Sequence, residues 1–252
     1  GAAKGLWSAT ALVDSPELVV ALHQEYIEAG ARMIITNTYS TVPSYLAKGN
    51  LEAEFEHYTA LGGELARKAV TQSGEPVQVA GCLPPLSESY RPDLVPEAVI
   101  AKPIYAQLVR ALEPYVDLFL CETMSSADEA YHAASQAKAE GNGKPVYVAW
   151  TLNEAAGTGL RSGETLLAAF ERLADLDIDG YLLNCTTPEA ANAAITELKQ
   201  LTDRPLGCYV NRIKEVPKGW TLDNEGPTIR RTDLTQDYFV ELSMQAIDAG
   251  AT

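Results

Sequence analysis

The sequence predicts a parallel α/β fold, on three observations. Short apolar runs alternate with longer amphipathic ones along all 252 residues. Most of the apolar runs are near-continuously hydrophobic rather than alternating, as parallel strands covered on both faces require. The amphipathic stretches open on helix start signals and close on glycines. No Pro-, Gly- or Ser-rich linker divides the chain, so residues 1–252 read as one domain, a length that α/β barrels reach.

Six runs have the length of buried strands: Met33–Tyr39, Pro76–Leu83, Asp117–Thr123, Pro145–Leu152, Gly180–Thr186 and Pro205–Asn211. Between them, Ser15-Pro16-Glu17 and Thr187-Pro188-Glu189 each place an N-cap, a first-turn proline and an acid ahead of an amphipathic run. Ser126 and Glu129 have the spacing of a capping box. Ser162-Gly163-Glu164 opens the run TLLAAFERLADL, and Gly30 and Gly141 stand where helices end. Serial βαβ units give a parallel sheet, and both a (β/α)8 barrel and an open doubly wound sheet fit the order. Arg212–Asp233 breaks the rhythm and reads as a long functional loop. Tyr26–Ala31 (YIEAGA) runs straight into a strand, and Ala246–Ala251 (AIDAGA) repeats that ending just before Thr252. By that echo a further strand is expected past the last residue.

Composition removes several classes. Lys and Arg total 19 against 34 Asp and Glu, a net charge of −15, which opposes binding to nucleic acid or anionic membranes. No apolar stretch is long enough to span a bilayer, and GAAKGLWSAT has no signal-peptide core. Four widely spaced cysteines make no disulfide framework, so a reduced, cytoplasmic protein is expected. No glycine-rich dinucleotide or phosphate loop is present. His23, His57 and His132 all fall in helical runs, where surface or helix-face positions are expected, and this leaves His-based triads unsupported.

In parallel α/β folds ligands meet the carboxyl ends of strands. Those ends carry Thr36-Asn37-Thr38-Tyr39, Cys121-Glu122-Thr123, Asn184-Cys185-Thr186 and Asn211-Arg212. Cys185 is a metal ligand, a nucleophile or a small buried hydrophobe; position alone leaves these open. Glu122 follows DLFLC and either faces solvent or pairs with a cation such as an amino group. Asn37, Thr38, Asn184 and Asn211 are pocket amides and hydroxyls or turn residues. Their shared placement on one face favours a pocket.

The ordered segments then resemble a known family. Leu6-Trp7-Ser8-Ala9, YIEAGA at 26–31, Thr36-Asn37-Thr38-Tyr39, Val79–Pro85 with Tyr90-Arg91-Pro92-Asp93, Cys121-Glu122-Thr123, Leu160-Arg161-Ser162-Gly163-Glu164 and Asn184-Cys185-Thr186 together resemble the homocysteine S-methyltransferases. The resemblance covers nearly the whole chain and implies a (β/α)8 TIM barrel, here lacking its first and last strands. It implies methyl transfer from S-methylmethionine or S-adenosylmethionine to the zinc-bound thiolate of homocysteine, giving methionine. Cys185 would be one of three cysteine ligands to Zn²⁺. The other two, an adjacent pair on the strand after the last Ala-Gly-Ala, are not in this sequence, so the chain as it stands is expected to be inactive. Glu122 would bind the homocysteine amino group. Asn37, Thr38, Asn184 and Asn211 would shape the amino-acid pocket, with Tyr39, Trp7 and Ser8 near the donor. A competing expectation is a shortened barrel that binds a small molecule or a partner without catalysis.

Overall fold

A computed structural model describes residues 6–217, 219–221 and 229–252 of the chain. Helices α1 (Ala9–Asp14) and α2 (Pro16–Glu28) precede β1 (Met33–Ile35). Helices α3 (Pro43–Leu46) and α4 (Phe55–Ser73) lead to β2 (Gln78–Leu83), and α5 (Ala98–Leu112) leads to β3 (Leu118–Met124). Then α6 (Ala127–Glu140), β4 (Val146–Trp150), α7 (Leu166–Arg172), β5 (Gly180–Asn184), α8 (Pro188–Leu198), β6 (Leu206–Tyr209) and α9 (Gln236–Ala249) complete the order. The described residues thus form six strands whose sheet order is their chain order, an α/β fold of the kind the apolar runs indicated. Among them no helix is long and apolar enough to cross a membrane.

Contacts gather into two compact units, each drawing on several stretches of chain. In the first (residues 1–87, 96–121 and 135–146), β1 pairs with β2 in parallel from Met33↔Gln78 to Ile35↔Ala80, and β2 with β3 from Ala80↔Leu118 to Leu83↔Cys121. Leu12, Val19 and Val20 of the first two helices bury against Leu65 and Ala69 of α4. In the second unit (residues 88–95, 122–134 and 147–252), β4 pairs with β5 from Tyr147↔Gly180 to Trp150↔Leu183, and β5 with β6 from Tyr181↔Leu206 to Asn184↔Tyr209. Here Trp150, fully buried, stacks on Tyr181 with centroids 5.5 Å apart, and Phe170 of α7 closes the same cluster. These registers bring the carboxyl ends within each unit to a common level.

Several local expectations are corrected. Strand β1 stops at Ile35 rather than Tyr39, because Thr36 Oγ1 accepts from Cys82 N and replaces the regular ladder. Helix α7 starts after Thr165, whose hydroxyl caps Ala168 N, and not at Ser162. Ser15 makes no side-chain cap, whereas Thr187 does, accepting from Ala190 N. His132 lies on helix α6, as one of the two expected placements has it, but on a buried face. At α6, Ser126 Oγ accepts from Glu129 N, while the Glu129 carboxylate accepts from Ser125 N and Ser125 Oγ, both at 2.7 Å. Glu129 is fully buried, and burial pushes its carboxyl up to about 7. Of Arg212–Asp233, the described residues form no helix or strand, only a bridge between Ile213 and Arg230; residues 218 and 222–228 lie outside the described set.

Candidate functional site

The strand ends of the second unit converge on Cys185. Cys185 follows β5 with φ +52°, held there by its own N–H donating to Tyr209 O and its carbonyl accepting from Thr151 Oγ1. Thr123, at the end of β3, also has a left-handed backbone (φ +62°), as does Tyr90 (φ +63°). Such φ values are strained for non-glycine residues, most of all for a β-branched one. Three of the four left-handed non-glycine residues described in this unit therefore share one site; the fourth is Asp177.

The contacts among them are specific. Asn184 Oδ1 accepts from Thr123 N at 3.1 Å, and Asn184 Nδ2 donates to Thr123 Oγ1 at 2.7 Å, so its amide is fully oriented. Hydrogen bonds from Tyr90 OH, Thr123 and Asn184 reach the Cys185 sulfur and favour its thiolate. Burial outweighs them, and the half-buried Glu122 carboxylate adds to it, so the Cys185 thiol lies above its ordinary range. Burial likewise pushes the Tyr90 phenol up.

A hairpin-like turn supplies the next layer. Leu152 and Leu160 form an isolated antiparallel bridge, and Asn153 Nδ2 donates to Leu160 O. Gly159 (φ +78°) makes the turn possible, because a Cβ there would lie 2.2 Å from Glu164 O. The turn pairs Glu154 with Arg161 (Oε1 to Nη1, 2.5 Å), and Glu154 Oε1 also accepts from Val216 N. Arg161 places its guanidinium carbon 5.0 Å from the Tyr90 ring centroid, and Trp220 meets the same ring edge-on at 5.2 Å. Tyr90, Arg161 and Trp220 were not among the residues singled out for a site, and Glu154 stood out only as the end of the run Thr151–Glu154 after a strand. Tyr90 and Arg161 sit inside two of the family-like segments, and a cation and an aromatic within loops was the available signal.

Asn211 is engaged otherwise: its Oδ1 accepts from Ile213 N in a local turn. The remaining candidates belong to the first unit. Thr38 is buried, its hydroxyl donating to Cys82 O and bonding Thr36 Oγ1. Asn37 Nδ2 donates to Ser8 O, and Ser8 Oγ bonds Ser40 Oγ at 3.0 Å. Trp7 is 54% exposed with φ +47°, and Tyr39 is half-buried. Cys82 and Cys121 are core residues, and burial raises the Cys121 thiol.

As a metal centre, Cys185 fits the part of one soft donor, with polar groups around its sulfur of the kind that orient a ligand. Among the described residues no group of three or more His, Cys, Asp or Glu side chains could hold a metal ion. One thiolate is short of a zinc site.

Fold and site define a parallel α/β protein with a cysteine–carboxylate–amide cluster at its strand ends. The homocysteine S-methyltransferase family model matches residues 2–252, and the chain belongs to that family. It is 32% identical over 228 residues to the homocysteine S-methyltransferase of Escherichia coli K12, covering 83% of this chain and 71% of that protein. It is 27% identical to homocysteine S-methyltransferase 3 of Arabidopsis thaliana, over 98% of this chain and 78% of the relative. The crystal structure of the metallated form of the E. coli homocysteine methyltransferase MmuM superposes with a TM-score of 0.78 at 28% identity, covering all of this chain and 83% of that one.

Proposed function

We propose that this protein serves methyl transfer from a sulfonium donor, S-methylmethionine or S-adenosylmethionine, to the sulfur of homocysteine, forming methionine. The observation that carries the reading is the Cys185 sulfur at a strand end, flanked by three hydrogen-bonding side chains and the Glu122 carboxylate. In the reaction the substrate thiol loses its proton to solvent, and its sulfur forms a bond to the methyl carbon. The carbon–sulfonium bond breaks, and the donor leaves as a neutral thioether. No proton moves at the methyl carbon, so positioning matters more than a base.

Glu122 holds the substrate ammonium. The Asn184–Thr123 pair keeps the strand ends in register around it, and Tyr90 walls the sulfur from water. Cys185 is proposed as one thiolate ligand of Zn²⁺, which in a complete site would lower the pKa of a substrate thiol. Turnover is proposed to need two further thiolates, which this sequence does not contain as an adjacent pair. The four free cysteines support a reducing, cytoplasmic setting.

The test is methyl-label transfer from either sulfonium to homocysteine, with zinc content measured alongside. Where the wild-type protein binds zinc and turns over, Cys185→Ser abolishes both. Retained zinc and turnover in that variant would falsify the assignment.

A further inference from the structure

Arg161 has more donors than its surroundings use. Its side chain is 7% exposed, and one nitrogen, Nη1, is committed to Glu154. Nε and Nη2 are shielded from solvent and have no hydrogen-bond partner. A buried donor left unmade is costly, more so on a charged group, so two on one guanidinium mark the place of a partner. The arrangement of the spare donors says what that partner is. Nε–H and Nη2–H point in parallel from one edge of the planar group, the edge that grips two oxygens of a single oxyanion. Glu154 occupies Nη1 and is itself held by Val216 N, so the free edge is fixed in orientation. The Tyr90 ring lies against the guanidinium, and the hydroxyl of that same ring bonds the Cys185 sulfur.

We infer that the Nε–Nη2 edge of Arg161 is a carboxylate-binding edge, which takes the α-carboxylate of an amino-acid substrate whose sulfur lies beside Cys185. This deepens the methyl-transfer reading and rests on it. Homocysteine and a methionine-derived sulfonium both carry an α-carboxylate, so the chemistry is shared by two sources. With Glu122 on the ammonium and Arg161 on the carboxylate, an amino acid is held by both of its charged groups. Arg161 is then a specificity residue that selects amino acids over simple thiols, thioethers and amines. Both free nitrogens are shielded from solvent, so seating the carboxylate requires rearrangement of the side chains around Arg161.

The experiment is calorimetric titration of the protein with four compounds: L-homocysteine, 3-aminopropane-1-thiol (homocysteine without its carboxylate), S-methyl-L-methionine, and (3-aminopropyl)dimethylsulfonium (the donor without its carboxylate). Each is titrated into wild type, R161K and R161Q. R161K keeps the charge opposite Glu154 and lacks the planar fork, so it guards against a result caused by misfolding in R161Q. Thermal melts check that each variant is folded. Wild type is expected to bind one of the two amino acids about 10- to 100-fold more tightly than its decarboxylated partner. R161K is expected to cut that preference to less than about threefold, leaving the decarboxylated compound's affinity unchanged. The amino acid whose preference collapses identifies the source of the carboxylate. A full preference surviving in folded R161K overturns the proposal and leaves the methyl-transfer reading standing, as does wild type binding the amino acids without preference. Binding of neither amino acid by folded wild type overturns the methyl-transfer reading, and this proposal with it.

Discussion

At the end of β1 the sequence reads Thr-Asn-Thr-Tyr, and at the end of β5 it reads Asn-Cys-Thr. Both are short polar runs after apolar strands, and from the letters alone either could be a ligand pocket. In the first, Thr36 and Thr38 bond each other and the backbone of β2, while Asn37 and Ser40 tie in Ser8 and Ala9. Those hydrogen bonds are made within the fold. In the second, Asn184 locks Thr123, and the group built around Cys185 still leaves guanidinium donors on Arg161 unused. A polar strand end becomes a site when its hydrogen bonds do not close among themselves.

The comparison can be tested, and the largest effect is expected at a third strand end. Glu129 lies behind β3 with its carboxyl raised from 4.5 to about 7 by burial. A raised folded-state value means that the native state favours the protonated form. That stabilisation is complete below pH 4.5 and is lost as pH rises through about 7. Glu129→Gln should therefore gain stability relative to wild type between pH 5 and pH 8, by roughly 2–3 kcal/mol. Denaturant melts across that range check it; parallel curves for the two proteins would show that the group does not titrate there.

The next effect concerns binding. Glu122→Gln removes the charge proposed to hold the ammonium and should weaken homocysteine about 30-fold, or ~2 kcal/mol, with little change in the melt. An unchanged dissociation constant would move Glu122 out of the pocket. Thr38→Val should do the reverse. Losing the buried bond to Cys82 O should cost about 1 kcal/mol of stability and leave ligand affinity alone. A loss of affinity at constant stability would put Thr38 in the site and erase the contrast. The smallest effect belongs to Tyr90→Phe. It removes one donor to the Cys185 sulfur and should raise the pH at which that thiol reacts with iodoacetamide, by a fraction of a unit.

The fold was largely legible because parallel strands buried on both faces write themselves as uninterrupted apolar runs; all six appear within a few residues of their expected limits. The limits slipped where side chains took over from the ladder, as Thr36 does at the end of β1. Cys185, Glu122 and Asn184 could be proposed from their places after strands. Glu154 also follows a strand-like run, but its pairing with Arg161 could not be read, because the turn that joins them depends on Gly159 and on a bridge from Leu152 to Leu160. Tyr90 reaches the sulfur from a segment with no strand of its own. Hydrogen-bond closure, which separates Thr38 from Arg161, is a property of three-dimensional neighbours and leaves no mark on residue type.

The left-handed backbone at Cys185 sets stability against the role proposed for its thiol. A side chain held at φ +52° carries a conformational cost of roughly 1–2 kcal/mol that glycine would relieve. Cys185→Gly would thus be favoured by any screen that rewards only heat resistance, and it deletes the thiol. Thermostability campaigns on this protein that read melting temperature alone will drift toward a better-folded and emptier molecule. Holding position 185 fixed, or selecting on amino-acid binding together with the melt, keeps the chemistry in the lineage.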